Sequence, residues 1–88
     1  MIKKELTIKN KTGLHARPAA LLVKTTGKFK SDIFISKDGY RVNGKSIMGV
    51  MTLAAESGSV IEISVDGPDE EEAFIALEDL INNKFFEE

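Results

Sequence analysis

The pair Asp38-Gly39 restricts what this chain can fold into more than any other stretch. It lies between Asp32–Ser36, where Ile33 and Ile35 share one face and Phe34 takes the other, and Tyr40–Asn43. Asp-Gly between such segments signals a tight β-hairpin, so the two segments pair antiparallel. Two further runs have the same period. Ile2, Lys4, Leu6 and Ile8 alternate with Lys3, Glu5, Thr7 and Lys9, and Ile61, Ile63 and Val65 alternate within Val60–Val65. A period of two is that of a half-buried strand.

Helical spacing fills the intervals. From Ala16 to about Thr26, residues Ala19, Leu22, Val23 and Thr26 form a buried stripe, with Lys24 and Lys28 elsewhere and Gly27 as a stop. Ser46 is the expected N-cap of a short helix over Ile47–Ala54, with Val50, Leu53 and Ala54 facing inward. Asn10 to Gly13 read as a turn. Gly67-Pro68-Asp69 opens a last helix whose apolar face is Ala73, Phe74, Leu77, Leu80 and Ile81, and Asp69 with Glu72 resembles a capping box. The order β-α-β-β-α-β-α predicts an α+β fold. It is a two-layer open-faced sandwich, a four-stranded antiparallel sheet with three helices on one face and a more polar face opposite.

Eighty-eight residues suffice for one core, so a single domain over 1–88 is expected. The chain has no cysteine, which removes disulfides and thiolate metal sites. The first residues are too polar for a signal peptide and no apolar run is long enough to span a bilayer, so a cytoplasmic protein without membrane insertion is expected. Charge is unevenly placed. Residues 1–55 carry 11 Lys/Arg against 3 Asp/Glu (+8), and residues 56–88 carry 1 against 11 (−10), leaving a net −2. A basic half suits nucleic acid, an acidic protein or a phosphorylated ligand. Scattered basic residues, 7% aromatics and no recognised motif argue against direct nucleic-acid binding.

The only histidine, His15, lies in Thr12-Gly13-Leu14-His15-Ala16-Arg17-Pro18-Ala19. As the N-cap of the first helix it precedes a turn whose backbone N–H groups have no internal partners. Pro18 loses no helix bond there and pushes Arg17 away from α geometry. The amides of Ala16 and Arg17 are left to point at an anion held on the ring. A helix N-terminus favours negative charge, and Arg17 adds a forked cation that can grip an anion's oxygens beside a nucleophilic ring. No second histidine supplies a general base, and one His beside an Arg is a poor metal site. These residues suit a group that receives an anion and passes it on.

Two motifs, that octapeptide and Lys45-Ser46-Ile47-Met48-Gly49-Val50-Met51, resemble those of HPr, the histidine-containing phosphocarrier family of the phosphoenolpyruvate-dependent sugar phosphotransferase system. The likeness extends over the whole chain in length, element order and motif spacing; Gly44 and the Phe85-Phe86 ending are less typical. It implies that His15 accepts phosphate on Nδ1 from phosphorylated enzyme I and donates it to A components of sugar-specific enzyme II, with Arg17 stabilising the group. The protein would be a carrier, not a self-contained enzyme, and needs no cofactor. It also implies that Ser46 is phosphorylated by an ATP-dependent HPr kinase/phosphorylase.

A short helix cannot bury all its apolar residues on one side, which leaves Ile47, Met48 and Met51 exposed for partners. Methionine adapts to several surfaces, as a carrier with different donors and acceptors requires. Thr12, Leu14, Ala20, Lys24 and Lys28 complete the expected docking surface, an apolar centre with a basic rim. A monomer is expected. Two other readings stay open: a regulatory protein acting through phosphorylated Ser46 with a catabolite-control transcription factor, and a nitrogen-regulatory phosphocarrier paralogue.

Overall fold

Residues 1–87 are described by the computed structural model; Glu88, the last residue of the expected domain, lies outside them. Four strands form from the three alternating segments and the second arm of the hairpin: β1 (Ile2–Thr7), β2 (Asp32–Lys37), β3 (Tyr40–Asn43) and β4 (Val60–Asp66). They make one antiparallel sheet in the order β1-β4-β2-β3. Asp38 and Gly39 both have positive φ, 51° and 83°, which makes the β2–β3 connection the tight turn expected of this pair.

Register decides what faces the helices. Ile33 pairs with Val65 and Val65 with Ile2, while Ile35 pairs with Ile63 and Ile63 with Lys4. Paired residues share a face, so these rows run across the sheet. Ile33, Ile35, Ile61, Ile63 and Val65 are buried against Ala19, Leu22, Val50, Ala73, Leu77 and Ile81. Each large side chain so buried contributes roughly 1.5–3 kcal/mol. Lys4 occupies a core-facing position at the sheet edge. It remains exposed because its ammonium leans over the Phe74 ring, 5.5 Å from the centroid. On the opposite face Phe34 lies under the Arg41 guanidinium at 3.9 Å.

The helices are α1 (Ala16–Thr26), α2 (Ile47–Thr52) and α3 (Glu70–Asn82). The chain is thus the open-faced α+β sandwich that its pattern predicts. Several local expectations differ. In α1 Pro18 is buried with Ala19, Leu22 and Thr26, and Val23 is only half-buried at the stripe's edge. Arg17 is helical despite the following proline, because the Ala19 N–H donates to the His15 carbonyl at 2.9 Å and closes the turn around it. Gly27 ends α1 with φ −63°, a right-handed residue; tight bonds from Lys28 to Thr25 and Phe29 to Thr26 redirect the chain. Ala54 lies outside α2, exposed and left-handed with φ 51°, and Ala55 takes the buried place expected of it.

The capping box at α3 does not form. The Asp69 carboxylate instead accepts from the Lys30 amide at 2.8 Å, the Ser31 amide at 2.9 Å and the Ser31 hydroxyl at 2.6 Å. Glu70 serves the helix start: it accepts from the Gly67 amide at 3.1 Å and from the N-terminal ammonium at 2.7 Å.

Gly44, less typical at first sight, has a packing cause. Its amide donates to the Ile33 carbonyl at 2.7 Å, and a Cβ there would come within 2.7 Å of Ile33 Cγ2. After α3 the chain makes a turn that the helix pattern did not predict. Lys84, Phe85 and Phe86 are all left-handed, with φ of 56°, 55° and 55°, a conformation costing roughly 1–2 kcal/mol for each such residue. Burial of Phe85, 3% exposed, opposes that cost.

Candidate functional site around His15

The loop before α1 is pinned from two sides. Within it, buried Asn10 donates from Nδ2 to the Gly13 carbonyl at 2.8 Å and to Thr12 Oγ1 at 3.3 Å, and the Gly13 amide donates to the Asn10 carbonyl. Across it, the Leu14 amide donates to the Ala55 carbonyl at 2.8 Å. Gly13 has φ +68°, and a Cβ there would collide with the Ala55 carbonyl oxygen and reach within 2.8 Å of Glu56 Cα. Only glycine fits this close approach.

The next residue emerges. His15 is exposed at the N-cap of α1 with extended backbone (φ −76°, ψ −174°), and its ring makes no capping bond. Among the described residues, nothing accepts from the amides of Ala16 and Arg17, and the first turn of α1 contains no acidic residue. The start of α1 is therefore an open anion site beside an uncommitted imidazole.

A groove of about 860 Å³ gathers Thr12, His15, Ala16 and Arg17 with Lys11, Pro18 and Leu21. Its remaining wall is Phe85, Phe86 and Glu87 from the left-handed turn. Glu87 accepts from the Thr12 hydroxyl at 2.7 Å, the Thr12 amide at 3.2 Å and Asn10 Nδ2 at 3.3 Å. The Thr12 hydroxyl is the main reason that the Glu87 carboxyl lies below its ordinary value, despite some desolvation. Sequence reasoning missed this wall. One signal was available: Phe85 continues the row Leu77, Ile81 at intervals of four, so it belongs to the buried face of α3 and draws its neighbours inward.

The other predicted site lies on α2, which packs against α1. Ser46 is its N-cap and is half-buried; Oγ accepts from the Gly49 amide at 3.1 Å. Ile47, Met48 and Met51 are 40%, 72% and 41% exposed. Ala20, Lys24 and Lys28 are exposed as well. These six residues do not line the His15 groove. Leu14 is a correction. It is 2% exposed, drawn into the core by the bond to Ala55, and presents no surface for docking.

The structure thus sets an exposed histidine above free helix-start donors on an open-faced α+β sandwich. The family model described as PTS HPr component phosphorylation site matches residues 2–83, and the chain belongs to that family, the phosphocarriers of the phosphotransferase system. It is 53% identical over 87 residues to the phosphocarrier protein HPr of Neisseria meningitidis, covering 99% of this chain and 98% of that one. The crystal structure of HPr-C-His from Thermoanaerobacter tengcongensis superposes with a TM-score of 0.97 at 57% identity, over 100% of this chain and 99% of that one. The Bacillus subtilis catabolite repression protein Crh, described as a dimer with a swapped domain, has a TM-score of 0.77 at 43% identity, over 96% and 97%.

Proposed function

We propose that the chain carries a phosphoryl group on His15, taken from phosphorylated enzyme I and given to the A components of sugar-specific enzyme II. The observation that carries this reading is the exposed, uncapped His15 ring next to the unpartnered Ala16 and Arg17 amides. A ring nitrogen attacks phosphorus with its lone pair as the donor's bond to phosphorus breaks, and the reverse step delivers the group onward. The amides and the Arg17 guanidinium stabilise oxygens whose charge is redistributed in transit, so rate comes from positioning and electrostatics. The chain has no second histidine and no cysteine, which suits a carrier whose partners complete each reaction. The exposed apolar residues of α2, with Lys24 and Lys28, suit acidic-rimmed partners met transiently.

Incubation with phosphoenolpyruvate and enzyme I tests it. One acid-labile, base-stable phosphate is expected, absent in His15→Ala; label that survives this substitution overturns the assignment. We further propose Ser46 as a regulatory phosphorylation site for an ATP-dependent HPr kinase/phosphorylase. A phosphate there sits at a helix start, where negative charge is favoured, and would change docking more than fold. The likeness to Crh, a protein described by catabolite repression, favours an accompanying role of that kind, for which a catabolite-control transcription factor is the proposed partner. Acid-stable label from ATP and the kinase should vanish in Ser46→Ala. A cytoplasmic monomer is the working form in this reading. Among the described residues no helix is long and apolar enough to cross a membrane. Mass by light scattering separates monomer from the swapped dimer described for Crh.

A further inference from the structure

We propose that Glu87 is a positioning residue for His15, an inference that rests on the phosphocarrier reading above. The chain beyond α3 turns back through three consecutive left-handed residues, which brings a carboxylate to the rim of a groove suited to anions. An unpaired acid in that place would repel an incoming phosphoryl group. This one is tied to the protein instead, its charge spread over three hydrogen bonds from the amide and hydroxyl of Thr12 and from Asn10 Nδ2. Those donors belong to the loop that presents His15. Asn10 also holds the Gly13 carbonyl, so a single side-chain amide ties Glu87 to the residue whose left-handed backbone delivers Leu14 to the core and His15 to solvent.

The arrangement has a fixed and a releasable part. Burial of Phe85 anchors the turn, while Glu87 holds the loop by hydrogen bonds at the surface. The first would survive loss of the second. Without Glu87 the Thr12 side keeps only the Asn10 bond, and the loop gains freedom three residues before the reacting ring. Phosphoryl transfer depends on near-attack geometry, so a small gain in freedom is felt in the chemical step more than in docking.

The test uses the full chain with Glu87→Gln, Thr12→Val, the pair together, and Thr12→Ser. Measured are kcat and KM with enzyme I, the His15 ring resonances by NMR, and the melting temperature. Glu87→Gln is expected to lower kcat roughly three- to tenfold, well short of the ~10²-fold that a 1 Å misplacement can cost. KM should stay nearly constant and the ring resonances should shift. Thr12→Val should match it, the pair should add little beyond either, and Thr12→Ser, which keeps the hydroxyl, should recover most of the kcat that Thr12→Val loses. A lower melting temperature with unchanged kcat and ring resonances would make Glu87 a structural tie and overturn the proposal. A rise in KM alone would make it a docking residue and overturn it equally. If the wild-type chain takes no phosphate, the carrier reading fails first, and the ring resonances alone still decide whether Glu87 orders His15.

Discussion

The first turns of α1 and α3 begin alike, after a polar N-cap residue, and end in opposite states. At α3 three glutamates occupy the first turn, Glu70 takes the Gly67 amide and the N-terminal ammonium, and Asp69 is occupied by Lys30 and Ser31. At α1 no acid is present, the N-cap ring bonds nothing, and Ala16 and Arg17 leave their amides open. One helix start is electrostatically complete within the chain. The other keeps its donors open among the described residues. The contrast separates a structural helix N-terminus from a functional one by what its donors lack, not by its geometry.

Removing the cation is the strongest way to break this contrast short of removing His15. Arg17→Ala should slow phosphate acceptance roughly 10²-fold, the effect of losing one charge-stabilising donor. Its melting temperature should hold, since the side chain is exposed; a collapse on heating would make Arg17 structural. Making α1 resemble α3 is the next test. Ala16→Glu places an acid among the open donors, which should stabilise the helix by about 0.3–1 kcal/mol. The same acid should slow phosphate acceptance about tenfold, equivalent to ~1.4 kcal/mol of barrier. A variant both more stable and slower would place the two effects at one set of amides. Faster transfer would separate them.

The smallest effect concerns acid. Asp69 is held at about 2 against an ordinary 3.8, first by the Ser31 hydroxyl and then by the Lys30 amide. The Glu70 carboxyl is lowered mainly by the N-terminal ammonium. A lowered carboxyl value means stability fully present above the ordinary value and lost as pH falls through the folded one. Thermal unfolding of Asp69→Asn should therefore match wild type more closely near pH 2 than near pH 5. A gap that stays constant between those values would remove Asp69 from the acid response. The α1 start, without acids, should contribute nothing to this loss.

Much of the contrast could be read from residue order, and the part that could not has a common cause. Period two located three strands, Asp38-Gly39 supplied the fourth and set its antiparallel pairing, and the lone His15 ahead of Arg17-Pro18 marked the candidate site. Local patterns failed where a partner lies far along the chain. Asp69 looked like a cap because Glu72 is near in sequence, yet its donors are 38 and 39 residues away. Leu14 looked available until its amide met Ala55, and the same contact region shifts the buried place from Ala54 to Ala55. Glu87 reaches Thr12 over 75 residues, a contact that no window of periodicity spans.

Lys4 has a consequence beyond its own strand. It is carried by β1, the strand at one end of the sheet, and its unpaired outer side offers six residues of backbone to any other extended chain. A strand laid along that side would close over the inward-tilted ammonium and force it from water without a counter-charge. The neighbouring Ile2 and Leu6, half-buried and suited to stacking, would otherwise invite such growth. One lysine on the apolar row thus guards the border against polymerisation. The sheet border carries its own charge, set on the one row where an added strand would have to bury it.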